Sequence, residues 1–156
     1  MERADALWQR NNYRTAAEVY EDVKELLPNQ RFVARPNGTV IDYEKALMWV
    51  ADGAGPGAHN GTPMNWYDAG VWVSTLEFAG YDDWRLPSDE ELQILADLPE
   101  EQRESLFPNT KKTLYWSRTY LIDNVEKTLC VDFRSGEIVL CSKNRERYVR
   151  PLRESE

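Results

Sequence analysis

Histidine and cysteine are nearly missing from this 156-residue chain: His59 stands alone, and Cys130 and Cys141 are the two cysteines. A zinc site draws most of its four ligands from these residue types, and a two-histidine iron site needs a second imidazole, so the chain lacks the parts for either. A Ser-His-Asp triad would depend on one histidine in a glycine-rich stretch, and no serine sits in a nucleophile-elbow pattern. The expectation is no catalytic residue, no metal and no cofactor. Positive charge is also short. Lys and Arg number 19 against 27 Asp and Glu, a net charge of −8, which repels a phosphate backbone and argues against nucleic acid as a partner. No apolar run approaches the roughly 20 residues that span a bilayer, and the opening MERADALWQR lacks the apolar stretch of a signal peptide. No membrane partner is expected. A cytoplasmic location is expected if Met1 is the native start; the alternative is an exported protein whose signal has been removed.

Aromatic side chains are what the chain has in excess, with six tryptophans and eight tyrosines. Side chains of this size bury about 150–250 Å² each, so most of them must lie in a core, and about 150 residues are enough to build one. Residues 1–28 carry apolar positions at helical spacing, Ala4, Leu7 and Trp8, then Tyr13, Ala16, Ala17, Tyr20, Val23 and Leu27, with Asn11-Asn12 between them and Pro28 after. This predicts a helical hairpin, and Tyr13, Ala16, Tyr20 and Pro28 resemble the back half of a tetratricopeptide repeat. Such a partial unit has to be covered, by packing on residues 29–156 or by weak homodimerisation through residues 1–28.

Beyond Pro28 the pattern changes to strands. Gln30 to Ala34 and Thr39 to Asp42 flank Pro36-Asn37-Gly38, where Asn-Gly supplies the positive φ of a hairpin. Ala51 to Met64 holds four glycines and two prolines and reads as a long surface loop. Asn65 can cap a helix from Trp66 to Ala79 that stops at Gly80. Pro87 ends an extended segment, and Ser88 with Glu91 forms a capping box for a helix from Asp89 to about Leu98, followed by a short one from Pro99 to Ser105. Strands are predicted at Leu114 to Ser117, Lys127 to Phe133, Ile138 to Ser142 and Arg147 to Leu152, which makes an α+β plan. With Ser135-Gly136 as a two-residue turn, Cys130 lies opposite Cys141. A cross-strand disulfide is then geometrically possible, but two half-buried thiols are the preferred reading.

The segment Tyr81 to Leu92, YDDWRLPSDEEL, resembles the Asp-Trp-Arg-Leu-Pro-Ser/Thr signature of the Lcl_C family, the C-terminal domain of bacterial collagen-like adhesins and a domain of unknown function. Arg31-Phe32, Gly38-Thr39-Val40, Asp42, Leu47-Met48-Trp49, Trp66, Ala69, Ala79-Gly80-Tyr81, Phe107-Pro108, Tyr115-Trp116-Ser117, Gly136 and Tyr148-Val149-Arg150 follow in the family's order. Ala46 stands where the family usually has glycine, and Pro151 where it commonly has cysteine. The resemblance implies a C-type-lectin-like domain over residues 29–156, with Trp49, Trp66, Trp84, Arg85, Pro87, Ser88, Glu91 and Trp116 as its structural motif. It also implies that the first strand pairs with the one at Arg147 to Leu152.

Function is read from the same residues. The calcium-binding tripeptides Glu-Pro-Asn and Gln-Pro-Asp of C-type lectins do not occur. The candidate binding residues are His59 and Asn60 in the loop, Trp72 on the helix after it, and Arg85, Arg145 and Arg147. Arg85 is assigned first to pinning two loops through a carboxylate or carbonyls, with ligand contact as the alternative. The cations Lys143, Arg145, Arg147, Arg150 and Arg153 either bind sulfated or phosphorylated polymers, as the adhesin resemblance implies, or pair with Asp89 to Glu91 or with Glu100, Glu101 and Glu104. The leading expectation is a non-enzymatic recognition module for a protein or glycan partner, because loops on a rigid scaffold carry binding. The alternative is an oxidoreductase-like enzyme of the formylglycine-generating type that uses Cys130 and Cys141.

Overall fold

The computed structural model describes residues 31–155, and the helical hairpin expected over residues 1–28 lies outside them. Residues Phe32–Ala34 (β1), Thr39–Asp42 (β2) and Leu47–Val50 (β3) form successive antiparallel hairpins, and Leu152–Glu154 (β7) completes a sheet of order β1-β2-β3-β7. A 3₁₀ turn at Pro56–Gly61 leads to α1 (Trp66–Ser74), α2 (Asp89–Ala96) and α3 (Glu100–Leu106). The second sheet, β4 (Leu114–Trp116), β5 (Lys127–Asp132) and β6 (Ile138–Ser142), is an antiparallel meander. The α+β plan therefore holds.

The central strands of the first sheet are covered on both faces, and that accounts for much of the aromatic load. Along β2 and β3 every residue is buried, with alternate side chains entering different clusters. Ile41, Met48 and Val50 join Val73, Trp84, Trp116 and the two cysteines, whereas Val40, Leu47 and Trp49 join Leu92, Leu95, Phe107 and Tyr115. Three indole N–H groups tie loops to this interior: Trp66 Nε1 donates to the Ser117 carbonyl at 2.9 Å, Trp116 Nε1 to Met64 at 2.6 Å, and Trp84 Nε1 to Phe78 at 3.1 Å and Tyr81 at 3.2 Å. Trp84 and Trp116 are both buried, as the sequence leads one to expect.

Five expectations require correction. The first and last strands share a sheet but do not pair: β7 lies against β3, with Trp49 opposite Leu152, and β1 is at the far edge. Apolar alternation marks a strand without saying which neighbour it takes, and here the β2–β3 hairpin comes between the two. The last strand is also displaced, because Arg147, Tyr148 and Leu152 make single bridges to Met64, Tyr115 and Arg85 before regular pairing at Leu152–Glu154. The Ala51 to Met64 loop is not wholly at the surface: Gly57, Ala58 and Met64 are buried. The helix expected to reach Ala79 ends at Ser74, and Ala79 and Gly80, with φ of 56° and 85°, instead make a tight turn that pairs Phe78 with Tyr81.

The fifth concerns the cysteines. The β5–β6 loop has four residues, not two, because Asp132 pairs with Glu137 and its carboxylate accepts from Arg134 N–H at 2.9 Å. Cys130 then faces Val139 and Cys141 faces Thr128, a two-residue shift that keeps both sulfurs on one face. They are joined as a disulfide across the diagonal, with Cα atoms 6.0 Å apart, and both residues are buried. The preferred reading of two thiols is overturned.

Two outcomes follow from this geometry. Ala46 turns the β2–β3 hairpin at φ 56°, a left-handed conformation in which a Cβ is strained. Ala46→Gly should raise stability by about 0.5–1 kcal/mol after allowing for the added freedom of the unfolded chain. An unchanged or lower urea midpoint would show the strain to be relieved elsewhere. Because the disulfide closes a short loop, with the cysteines 11 positions apart, reducing it should cost about 2–3 kcal/mol, read as a lower thermal midpoint in reductant.

Candidate functional site

The candidate binding residues separate into different environments. His59 and Asn60 occupy left-handed conformations, φ 55° and 53°, which swing the loop back over α1. There the His59 ring meets Trp72 edge to face at 5.2 Å, and its Nδ1 lies 3.0 Å from the Thr62 carbonyl. His59 and Trp72 thus come together, with Asn60 exposed beside His59 in the loop. Arg85 lies elsewhere. Its guanidinium forms a fork on Glu91, Nη1–Oε1 and Nη2–Oε2 both 2.9 Å, donates to the Leu86 carbonyl and pairs with Glu154. Arg145 is exposed on the turn after β6, and Arg147 is half-buried with Nη1 donating to the Glu146 carbonyl at 3.1 Å. They are not on one strand face, because the chain turns between them.

The proposed basic cluster does not exist as a surface. Arg153 forks onto Asp83, Nε–Oδ1 2.5 Å and Nη2–Oδ2 3.0 Å, and stacks 3.8 Å from the Tyr81 ring. Arg150 is fully buried, donating to the Val50 and Ala51 carbonyls and to Thr110. Lys143, also buried, donates to the Val125 carbonyl at 2.8 Å. None of these three pairs with the acidic helices.

Lys143 organises the feature that the sequence reading missed. Its ammonium lies 4.1 Å from the Trp66 ring centre and 5.9 Å from those of Tyr67 and Tyr120, so α1 and the 117–126 loop meet around one cation. The loop is held at its ends by the bond from Thr119 Oγ1 to Asp89 at 2.6 Å and by Lys143 N–H to the Glu126 carbonyl at 3.0 Å. Around this anchor, large apolar side chains face solvent: Tyr67 and Val71 one turn apart on α1, and Tyr120, Ile122 and Val125 on the loop. Ile122 is 85% exposed, too open to serve the core. The available signal was the unassigned stretch Tyr120 to Val125, apolar yet without strand or helix period. His59, Asn60 and Trp72 adjoin this face through α1.

A separate cleft of about 590 Å³ lies between the β2–β3 turn and α2, beside Leu47, Ile94, Glu91 and Glu154. Its Glu91 and Glu154 carboxylates are already engaged by Arg85. Among the described residues no three His, Cys, Asp or Glu side chains converge to hold a metal ion, and no helix is long and apolar enough to cross a membrane.

With this geometry in place, the comparison with known families is decisive for kinship: the family model of the Lcl C-terminal domain matches residues 38–153. The chain belongs to the Lcl_C family. No curated protein matches it. The Lcl_C match begins after β1 and takes in β2, β3, the whole second sheet and the exposed face around Lys143, and Ala46, the departure from the family's usual glycine, lies within it.

Acid titration of the Arg85 cluster gives a direct check. Burial pushes the Glu91 carboxyl up, but the Arg85 fork, the Ser88 N–H and the charges of Arg85 and Arg118 outweigh burial and hold it below the ordinary glutamate range. Arg153 lowers Asp83, and Arg85 lowers Glu154, in the same direction. A carboxylate whose folded pKa lies below its unfolded value stabilises above that unfolded value, about 4.3 for Glu, and the contribution is lost as pH falls through the folded pKa. Urea midpoints should therefore decline below about pH 4.3. Glu91→Gln should lower stability at pH 7 by about 1–3 kcal/mol and make the acid decline shallower. An acid limb of unchanged slope would remove Glu91 from this role.

Proposed function

We propose that this Lcl_C domain is a non-enzymatic recognition module of C-type-lectin-like architecture that binds a protein or glycan partner through the face formed by α1 and the 117–126 loop. The observation that carries the reading is the group of exposed side chains Tyr67, Val71, Tyr120, Ile122 and Val125 set around the buried Lys143 ammonium. Apolar groups gathered on a fastened loop favour association, and tyrosine is among the residues that dominate binding energy. The C-type-lectin-like assignment is supported by the α+β plan, by the shared sheet of the first and last strands, and by the loop-rich half that carries this face. The earlier candidates His59, Asn60 and Trp72 extend the face, and Arg145 is exposed two residues beyond Lys143. Arg85 is assigned to structure. The disulfide supports the exported alternative, since the cytosol keeps such pairs reduced.

The test presents the full chain and its variants to a glycan array and to partner proteins in quantitative capture. Tyr120→Ala and Ile122→Ser should each weaken any ligand the native chain retains by about tenfold or more, about 1.4 kcal/mol, with thermal midpoints unchanged. Arg85→Lys should alter stability more than affinity. Equal retention by Tyr120→Ala, Ile122→Ser and the native chain would move the site away from this face.

A further inference from the structure

Each apolar group on the exposed face of α1 and the 117–126 loop has a carboxylate beside it. Asp68 follows Tyr67 and lies one turn from Val71 on α1, Asp123 follows Ile122, and Glu126 follows Val125. All three carboxylates are exposed, and among the described residues none has an ion-pair partner. The cations nearest in sequence are turned elsewhere. Lys143 is buried, its ammonium held by the Val125 carbonyl. Lys127 pairs with Ser142 in the β5–β6 ladder, and strand alternation puts that pair on the opposite side from the buried Cys141 and Lys143. Arg118 acts on Glu91, whose carboxyl it helps to lower. Arg145, exposed on the turn after β6, has the exposed Glu146 next to it to balance its charge.

We propose that the partner of this face is a protein segment with an apolar ridge flanked by lysine or arginine, and not a glycan; this rests on the reading of the face as the binding site. Val71, Ile122 and Val125 are aliphatic and offer no side-chain hydrogen bond, so sugar hydroxyls set against them would lose water without replacement. Apolar side chains of a protein lose no polar contact there and gain burial. Ile122, 85% exposed, has the most surface to cover. The unpaired carboxylates then select what stands beside the ridge. Opposite charges next to an apolar centre speed encounter and fix orientation, whereas an acidic partner would set like charges against Asp68, Asp123 and Glu126. The acidic exterior, with a net charge of −8, draws the same class of partner from a distance.

The test titrates the full chain against three labelled amphipathic peptides of equal length, one of leucine and lysine, one of leucine and glutamate, and one of serine and lysine. Fluorescence anisotropy is read at about 0.15 M salt, where attraction to the overall charge is largely screened. The leucine–lysine peptide should bind at least about tenfold tighter than either of the others, and Ile122→Ser or Tyr120→Ala should remove most of that advantage. Joint Asp123→Lys and Glu126→Lys should turn the preference toward the leucine–glutamate peptide, with the thermal midpoint retained. Equal binding of the two leucine peptides, weakened alike by Ile122→Ser, overturns the basic partner and leaves the face as the site. Retention of a glycan that Ile122→Ser abolishes, with no peptide bound, overturns the protein partner and also leaves the face. Peptide binding indifferent to Ile122→Ser and Tyr120→Ala overturns the proposal together with the reading on which it rests.

Discussion

The guanidinium of Arg85 is the junction on which the domain closes. Its backbone bridges Leu152, N–H to carbonyl at 2.8 Å and the reverse at 2.9 Å, while its side chain holds Glu91 on α2 and Glu154 on β7. Glu91 is also the reciprocal member of the capping box with Ser88, its Oε1 accepting the Ser88 N–H at 2.8 Å. One carboxylate thus starts a helix and engages the arginine that locates the final strand. Replacing only one partner would leave half-buried charge behind, which usually costs more than the pair itself contributes. The short Trp84-Arg85-Leu86 segment is therefore the place where the chain's last strand, the second helix and the buried indole of Trp84 are brought into register.

The second organising constraint is the use of cations inside an acidic protein. Arg150 lies within the core, where burial draws its pKa below the ordinary arginine value against the opposing pull of Tyr115 and Asp52. Arg153 lies between Tyr81 and Asp83, and Lys143 among Trp66, Tyr67 and Tyr120. Each replaces lost hydration with carbonyls, a carboxylate or an aromatic face. With these cations inward and a net charge of −8, the exterior is left acidic. This is a physical reason to look for a partner that meets apolar and aromatic groups in preference to one that presents phosphate or sulfate.

Local chemistry was legible in the sequence wherever one or two adjacent residues decide the outcome. Asn65 and Ser88 cap their helices as their side chains allow, and Gly38 supplies the positive φ of the first hairpin. Register was not legible where two turn chemistries competed. Ser135-Gly136 is a plausible two-residue turn, yet Asp132 captures the Arg134 N–H and Phe133 is pulled into the core, so the loop is longer and the cysteines meet diagonally. The helix from Trp66 stops at Ser74 for a related reason: Ala79-Gly80 makes a turn that lets Trp84 bond Phe78 and Tyr81, and no periodicity reports that pull.

The sequence by itself determined the α+β composition, the caps, the strands of the second sheet and the aromatic residues that make the core, because each depends on spacing or on a side chain acting within a few positions. Tertiary structure alone decided that β7 joins β3, that Lys143, Arg150 and Arg153 turn inward, and that Tyr67 and Tyr120 gather at Lys143 while Ile122 stays in solvent. The difference is physical. Periodicity states that a side chain has an apolar face to bury, whereas the neighbour that buries it, or fails to, is chosen by contacts between segments far apart in the chain.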